Sequence, residues 1–452
     1  MNAPRQFSTT QIWRGVLVCL LLLVVTGAGA ALRFGWGPFA PAGKSPQSAP
    51  QPAKGTEAGE KVAYTEGTPP PVPSADCSAG SAWRAVASPN LITNEKTSEI
   101  GKGGNNLAAI AALSPRDAWA VGLAHGEGRS AELTEHWDGS AWHTVPSVDT
   151  QGSASTLNAV CVTVPGLAWA AGSHLDRNSA VVPLLIRWNG ISWTPASTPA
   201  LASNYATLQG ISALSQDDVW AVGYLLDDKS AYRALTEHWD GKSWHVVPGP
   251  EVSAHLAQLM AVWALSSYDV WAVGEYSPSA GVINTLVEHW DGKSWQVVSS
   301  PNGGPAANYL TGISGSKSDD VWAVGYSGNE KSVYRTLIEH WDGHSWRIIP
   351  SPNNGEQFNL LTAVSATPMG EAWTVGYYQD VDRTQKALVE KWDGRSWRLT
   401  GVPSIGPTLN LLRGVSALSG SDAWVVGYSD SLVGTAQTLI ERFNNPCVTP
   451  GP

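Results

Sequence analysis

Basic clusters are absent from this chain, and charge of either sign is scarce. Only 15% of its 452 residues are charged, and the net charge is −10. Nothing in it would neutralise a row of phosphates, which excludes a nucleic-acid partner. Long helical periodicities are also missing, and helical solenoids go with them. There is no Gly-Lys-Ser/Thr phosphate loop, no nucleophile elbow and no pair of histidines at metal-binding spacing. The chain therefore offers no catalytic set, no metal site and no cofactor site. Only one long apolar run occurs, near the N-terminus.

What is abundant is tryptophan, and it is periodic. There are 23. One series is Trp119, Trp169, Trp220, Trp271, Trp322, Trp373 and Trp424, the first interval being 50 residues and the rest 51. A second is Trp137, Trp188, Trp239, Trp290, Trp341 and Trp392, with Phe443 as its last member. A third is Trp142, Trp193, Trp244, Trp295, Trp346 and Trp397. Self-similarity at a fixed period of this length marks a repeat architecture. Trp at a fixed phase is core. Each could bury about 150–250 Å², an upper bound of roughly 4–6 kcal/mol.

Residues 1–34 read as a signal-anchor or a signal peptide. Gly15–Leu32 carries no charge and follows Arg5 and Arg14. Its length just suffices to span a bilayer. The small residues Ala28, Gly29 and Ala30 equally suit cleavage. Either way the bulk of the chain lies outside the cytoplasm, on the membrane or secreted. Residues 35–76, rich in Pro, Ala and Gly, read as a disordered linker.

Residues 77–452 hold the repeats. In one unit, 310–314, 321–326, 336–341 and 345–350 read as short strands, with Asp342–Gly343 as a hairpin turn. The fold class is all-β: a seven-bladed β-propeller of four-stranded blades. The last unit stops after Asn445 without a fourth strand. Residues 80–90 supply one, since Ser81-Ala82-Trp83 through Ser88-Pro89-Asn90 matches Ser345-Trp346 through Ser351-Pro352-Asn353. Closing the ring this way removes open sheet edges. Cys77 and Cys447 flank the junction, while Cys19 sits in the apolar run and Cys161 in a first strand. A Cys77–Cys447 disulfide is expected outside the cytoplasm. It would close a loop of about 370 residues and contribute about 5 kcal/mol.

The Val-Gly end of the second strand, the hairpin and the closing Trp resemble kelch-type, galactose-oxidase-like repeats over roughly Cys77–Cys447. The chain departs from that pattern where kelch units carry a double Gly and it has Gly325-Tyr326 or Gly223-Tyr224. The Asp-Gly-x-Ser-Trp hairpin is also loosely similar to the Asp-box of sialidase-type propellers, where the Gly stands one residue further on. The repeats look like those of bacterial cell-surface propellers. The resemblance implies the ring and carries no function. A copper centre would need His, Tyr and a cross-linked Cys, and Cys161 lacks such neighbours. A sialidase-like site would need clustered Arg, and Arg233, Arg335 and Arg413 are scattered.

A residue repeated in every unit is scaffold, because a site needs unequal groups. The Glu-His pairs at Glu135, Glu237, Glu288 and Glu339 recur at one phase and are set aside on that ground. The stretches after the second strand and before the first vary. They carry the candidate binding residues Tyr205, Asp227, Asp228, His255, Glu275, Tyr309, Phe358, Asp380 and Asp382. Both sets of loops emerge on one face of a four-stranded blade, opposite the hairpins. Loops on a rigid scaffold commonly carry function. The reading is non-enzymatic recognition at the cell envelope, of a protein or, alternatively, a polysaccharide. A glycan-active hydrolase or lyase stands behind both.

Overall fold

The computed structural model describes residues 82–91, 104–126, 129–148, 154–253, 255–431 and 435–444. The expectations for the apolar segment, the linker, Cys77 and Cys447 fall outside these residues.

The described residues are all-β and form repeated four-stranded antiparallel blades. The third serves as the example. Ala206–Ser215 pairs with Asp218–Leu226, which pairs with Tyr232–Trp239, which pairs with Trp244–Val246. The second strand is buried on both faces over residues 219–223, where Val219 and Val222 are good β-formers, and Leu235 of the third strand is sealed as well. The outer strand is only three residues long, with Trp244 buried and His245 and Val246 exposed. A short edge is one way to discourage edge-to-edge pairing. At the hairpin, Gly241 takes φ 88, and Asp240 Oδ1 accepts the N–H of Lys242 and of Ser243 at 2.9 Å each. The Asp side chain closes the turn and the Gly supplies the left-handed backbone.

The same plan recurs over 104–144, 155–195, 257–297, 307–348 and 359–399. The last blade is assembled from both ends of the described chain. Asn410–Ser419, Asp422–Asp430 and Ala436–Asn444 pair in order, and Ala82–Ala85 pairs antiparallel with Ala436–Asn444, placing Trp83 opposite Phe443.

The core lies between blades. Each second-strand Trp packs against the Trp pair of the next blade: Trp220 lies 5.1 Å from Trp290 and 5.3 Å from Trp295, ring centre to ring centre. Trp373 meets Phe443 and Trp83 in the same way, at 4.9 and 5.3 Å. Trp424 meets Trp137 and Trp142 of the first blade, at 5.1 and 5.4 Å. Single parallel bridges also join neighbours, at Val181–Tyr205, Tyr232–Leu256, Ile283–Ala307, Gln385–Leu409 and Ala436–Gly104. The last of these returns to the first blade.

The first strands surround the middle and crowd one another there. A Cβ on Gly210 would stand 2.9 Å from Ala261 Cα, on Gly312 2.9 Å from Ala363 Cα, and on Gly414 3.0 Å from Ala109 Cα. Each first strand also carries a β-bulge, which leaves Gln209, Thr311 or Arg413, among others, without a partner across the ladder. The arrangement is that of a β-propeller.

Candidate functional site

The Glu-His pairs resolve into two separate structural parts. The carboxylates of Glu135, Glu237, Glu288, Glu339, Glu390 and Glu441 are sealed between blades. The histidines next to them point the other way and are half-buried. His136, His238, His289 and His340 lie 2.8–2.9 Å from Asp117, Asp218, Asp269 and Asp320. Each ring covers the second-strand Trp of its own blade, 4.2–4.5 Å away. Where histidine is replaced, Arg187, Lys391 and Arg442 lie over Trp169, Trp373 and Trp424 instead. The constant requirement is a positive or polar plate on an indole. His238→Ala is expected to cost about 1 kcal/mol in urea denaturation, from the lost Asp218 bond and the lost stacking.

The candidate loop residues divide. Asp227 and Asp380 close the turn they belong to. Asp227 accepts the N–H of Lys229 and Ala231 at 2.9 and 2.8 Å and the Nε–H of Arg233 at 2.8 Å. The Ala231 N–H, then Arg233, hold its carboxyl below the usual range. Asp380 is lowered first by Lys386, which it pairs with, and then by the N–H of Val381. Asp382 accepts both the N–H and the hydroxyl of Thr384. Asp228 and His255 are exposed, and the His255 carbonyl accepts the Tyr232 N–H at 3.1 Å.

These turns are less variable than their sequences. Asp176, Asp227, Asn329 and Asp380 each donate a backbone N–H to the carbonyl four residues on. The left-handed residue recurs as Ser179, Ser230, Ser332 and Arg383. One correction concerns Tyr309. It lies within the strand Ala307–Lys317 rather than in a loop and is 2% exposed. The strand simply begins earlier than its alternation suggests.

The remaining candidates fall into two aromatic groups on the loop side. Tyr205 is half-buried and meets Tyr224 and Tyr232 at 6.3 and 6.4 Å. Tyr309 meets Tyr326 at 4.7 Å, and Phe358 stacks on Tyr334 at 5.7 Å. Glu275 is buried on its strand, close enough to Tyr224 to add to the burial that holds that hydroxyl well above the usual range.

Sequence reasoning named only Glu275 of a further group on the inner strands. The residue after the repeated second-strand Gly is Leu123, Ser173, Tyr224, Glu275, Tyr326, Tyr377 and Tyr428 in turn. The bulged residue of the first strand is Ala108, Asn158, Gln209, Met260, Thr311, Thr362 and Arg413. At both positions the blades differ within regular strands. Arg413 is the one charge in the bulge series. Its guanidinium carbon lies 5.9 Å from the Tyr377 ring centre and 5.8 Å from that of Tyr428. Tyr326 and Tyr428 pack with Leu360, Tyr377 and Leu411.

A groove of about 450 Å³ also opens on the hairpin side, lined by Asp269, Trp271, His289, Trp341 and His344 among others. All but His344 of these recur in other blades, which marks the groove as a by-product of the repeat.

No protein-family model matches the chain, and no curated protein does. Solved structures similar to it include YCF48 bound to D1 peptide, at 15% identity over 66% of this chain and 99% of the other, TM-score 0.38. They include the GH74 xyloglucanase from Xanthomonas campestris, at 13% identity over 79% of this chain and 55% of the other, TM-score 0.45. The SapL1 lectin in complex with α-methyl fucoside matches at 14% identity, over 68% and 99%, TM-score 0.42. Likeness at this level carries neither ligand nor chemistry across.

Proposed function

We propose that the chain is a seven-bladed, kelch-like ring displayed outside the cytoplasm, and that it binds an envelope protein at the loop-side end of its axis without catalysis. One observation carries the reading. The blades repeat their scaffold closely, yet unequal side chains fill one second-strand position in successive blades, Tyr224, Glu275, Tyr326, Tyr377 and Tyr428, with Arg413 beside the last two. Tyr224, Tyr326 and Tyr428 are half-buried, and such tyrosines suit recognition, because they offer large contact area at low entropic cost and a polar tip. The location outside the cytoplasm rests on Gly15–Leu32 and the linker behind it. Ala82, five residues after Cys77, pairs with Asn444, three residues before Cys447, and this supports the disulfide. Equal intact mass before and after reduction would remove it.

The test of function is a pull-down with the full chain on an extract of the source envelope. A defined protein should be retained by the wild type and lost from Tyr224→Ala and Tyr326→Ala variants that keep their melting temperature. Retention of a polysaccharide alone would favour a lectin-like module instead. Equal retention by the variants would move the site off the axis.

A further inference from the structure

We propose that Arg413 is a carboxylate receptor at the centre of the ring, and that it takes the free C-terminal end of a polypeptide. This rests on the binding role above and specifies the chemistry of that site.

Arg413 departs from what its equivalents in other blades do. Asn158 Nδ2 donates to Leu208 O of the next first strand at 2.8 Å. Thr311 Oγ1 donates to Leu361 O at 2.8 Å, and Thr362 Oγ1 to Leu412 O at 3.0 Å. A short polar side chain at the bulge thus stitches one blade to the next. Arg413 abandons the stitch. Its side chain makes a single long hydrogen bond, Nη2 to Tyr428 Oη at 3.5 Å, among the described residues. A guanidinium has five N–H donors.

Its charge is not balanced either. Arg233, Arg347, Arg398 and Arg442 pair with Asp227, Asp342, Asp393 and Asp422. Arg413 forms no ion pair among the described residues, yet it stands between the rings of Tyr377 and Tyr428. It remains half-buried rather than sealed. Aromatic walls reduce the local dielectric and strengthen attraction to an anion. The planar fork matches a carboxylate with two parallel hydrogen bonds.

The setting narrows the anion. A phosphate dianion calls for more than one cation, and the bulge series holds no second one. The Arg413 side chain is only partly exposed, with the Tyr377 and Tyr428 ring centres 5.9 and 5.8 Å from its guanidinium carbon. A slim chain end with a small last residue suits such a place better than a pyranose ring with its equatorial groups.

The test uses the full chain in detergent micelles, labelled with ¹⁵N-arginine. Three probes are titrated: N-acetyl-Ala-Ala with a free carboxylate, the same dipeptide as its amide, and galacturonic acid. One arginine Nε–H signal should move, saturably, with the free dipeptide only. That signal should be missing from Arg413→Lys. Absence of any movement overturns the proposal, and so does equal movement with the amide. Movement with galacturonic acid but not the dipeptide overturns the peptide assignment in favour of a uronate. The envelope pull-down is repeated with Arg413→Gln beside a melting curve. A roughly 10- to 100-fold weaker retention is expected from loss of a charge-assisted bond. Undiminished retention by a folded Arg413→Gln leaves the binding role standing and removes this inference. No retention by the wild type removes the binding role, while the dipeptide titration still decides on Arg413.

Discussion

Trp424→Ala is expected to lower the unfolding free energy by about 3–5 kcal/mol, the range for truncating a large buried aromatic. Trp424 is fully buried. Its indole touches Trp137 and Trp142 on one side, and the Arg442 guanidinium carbon lies 4.6 Å from its ring on the other. The two partner indoles belong to the first blade, so the substitution opens a cavity across the junction between the ends of the repeat. Trp220→Ala is the control, since its contacts to Trp290 and Trp295 have nearly the same geometry inside the array. If the ends meet as an ordinary junction, the two variants should lose similar stability in urea titrations followed by far-ultraviolet circular dichroism. A Trp424→Ala loss below about 1 kcal/mol, beside a full loss for Trp220→Ala, would mean the closing junction is not a working part of the core.

How far the sequence disclosed this structure depends on what repeats. The strands and hairpins were legible because period two, the 51-residue period and the Asp-Gly turn all agree at Asp240-Gly241 and its equivalents. The turns after the second strand were harder. Few residues of each recur in kind, the first as Asp176, Asp227, Asn329 or Asp380 and the left-handed one as Ser179, Ser230 or Ser332, so a constant backbone looked like a variable loop. Tyr309 was misplaced for a related reason: its strand starts with Ala307 and Asn308, which carry no β signal. The axial set escaped for a different one. A bulge adds a residue without changing composition, so nothing in a single strand marks Arg413. It emerges only when Asn158, Gln209, Thr311 and Thr362 are laid beside it. The burial of six glutamates was hidden too, because composition places Glu outside. The clue is in the second blade, where Ile186 fills the same place.

Those glutamates make stability depend on pH in an unusual direction. Burial pushes each of Glu135, Glu237, Glu288, Glu339, Glu390 and Glu441 up to about 8. Ser88, Ser300 and Ser351 act weakly the other way on Glu135, Glu339 and Glu390. Neither carboxyl oxygen of Glu237, Glu288 or Glu441 has a hydrogen-bond partner among the described residues. The folded chain therefore holds these groups neutral at pH 7, while the unfolded chain ionises them near 4.5. Between those values the folded state binds more protons, so raising the pH favours unfolding. The contribution of each group is fully present below about pH 4.5 and is lost as the pH rises through 8. The loss for each group is on the order of 1 kcal/mol per pH unit within that window. Glu237→Gln removes one proton site while nearly keeping its shape. At pH 5 the variant and the wild type should differ little. Towards pH 8.5 the variant should become the more stable, the gap widening by about that slope. Melting curves at half-unit steps would measure it. Parallel curves for the two proteins would show that Glu237 is ionised in the folded state and that a compensating charge reaches it. A wild type that melts higher at pH 9 than at pH 5 would reverse the account for the whole set.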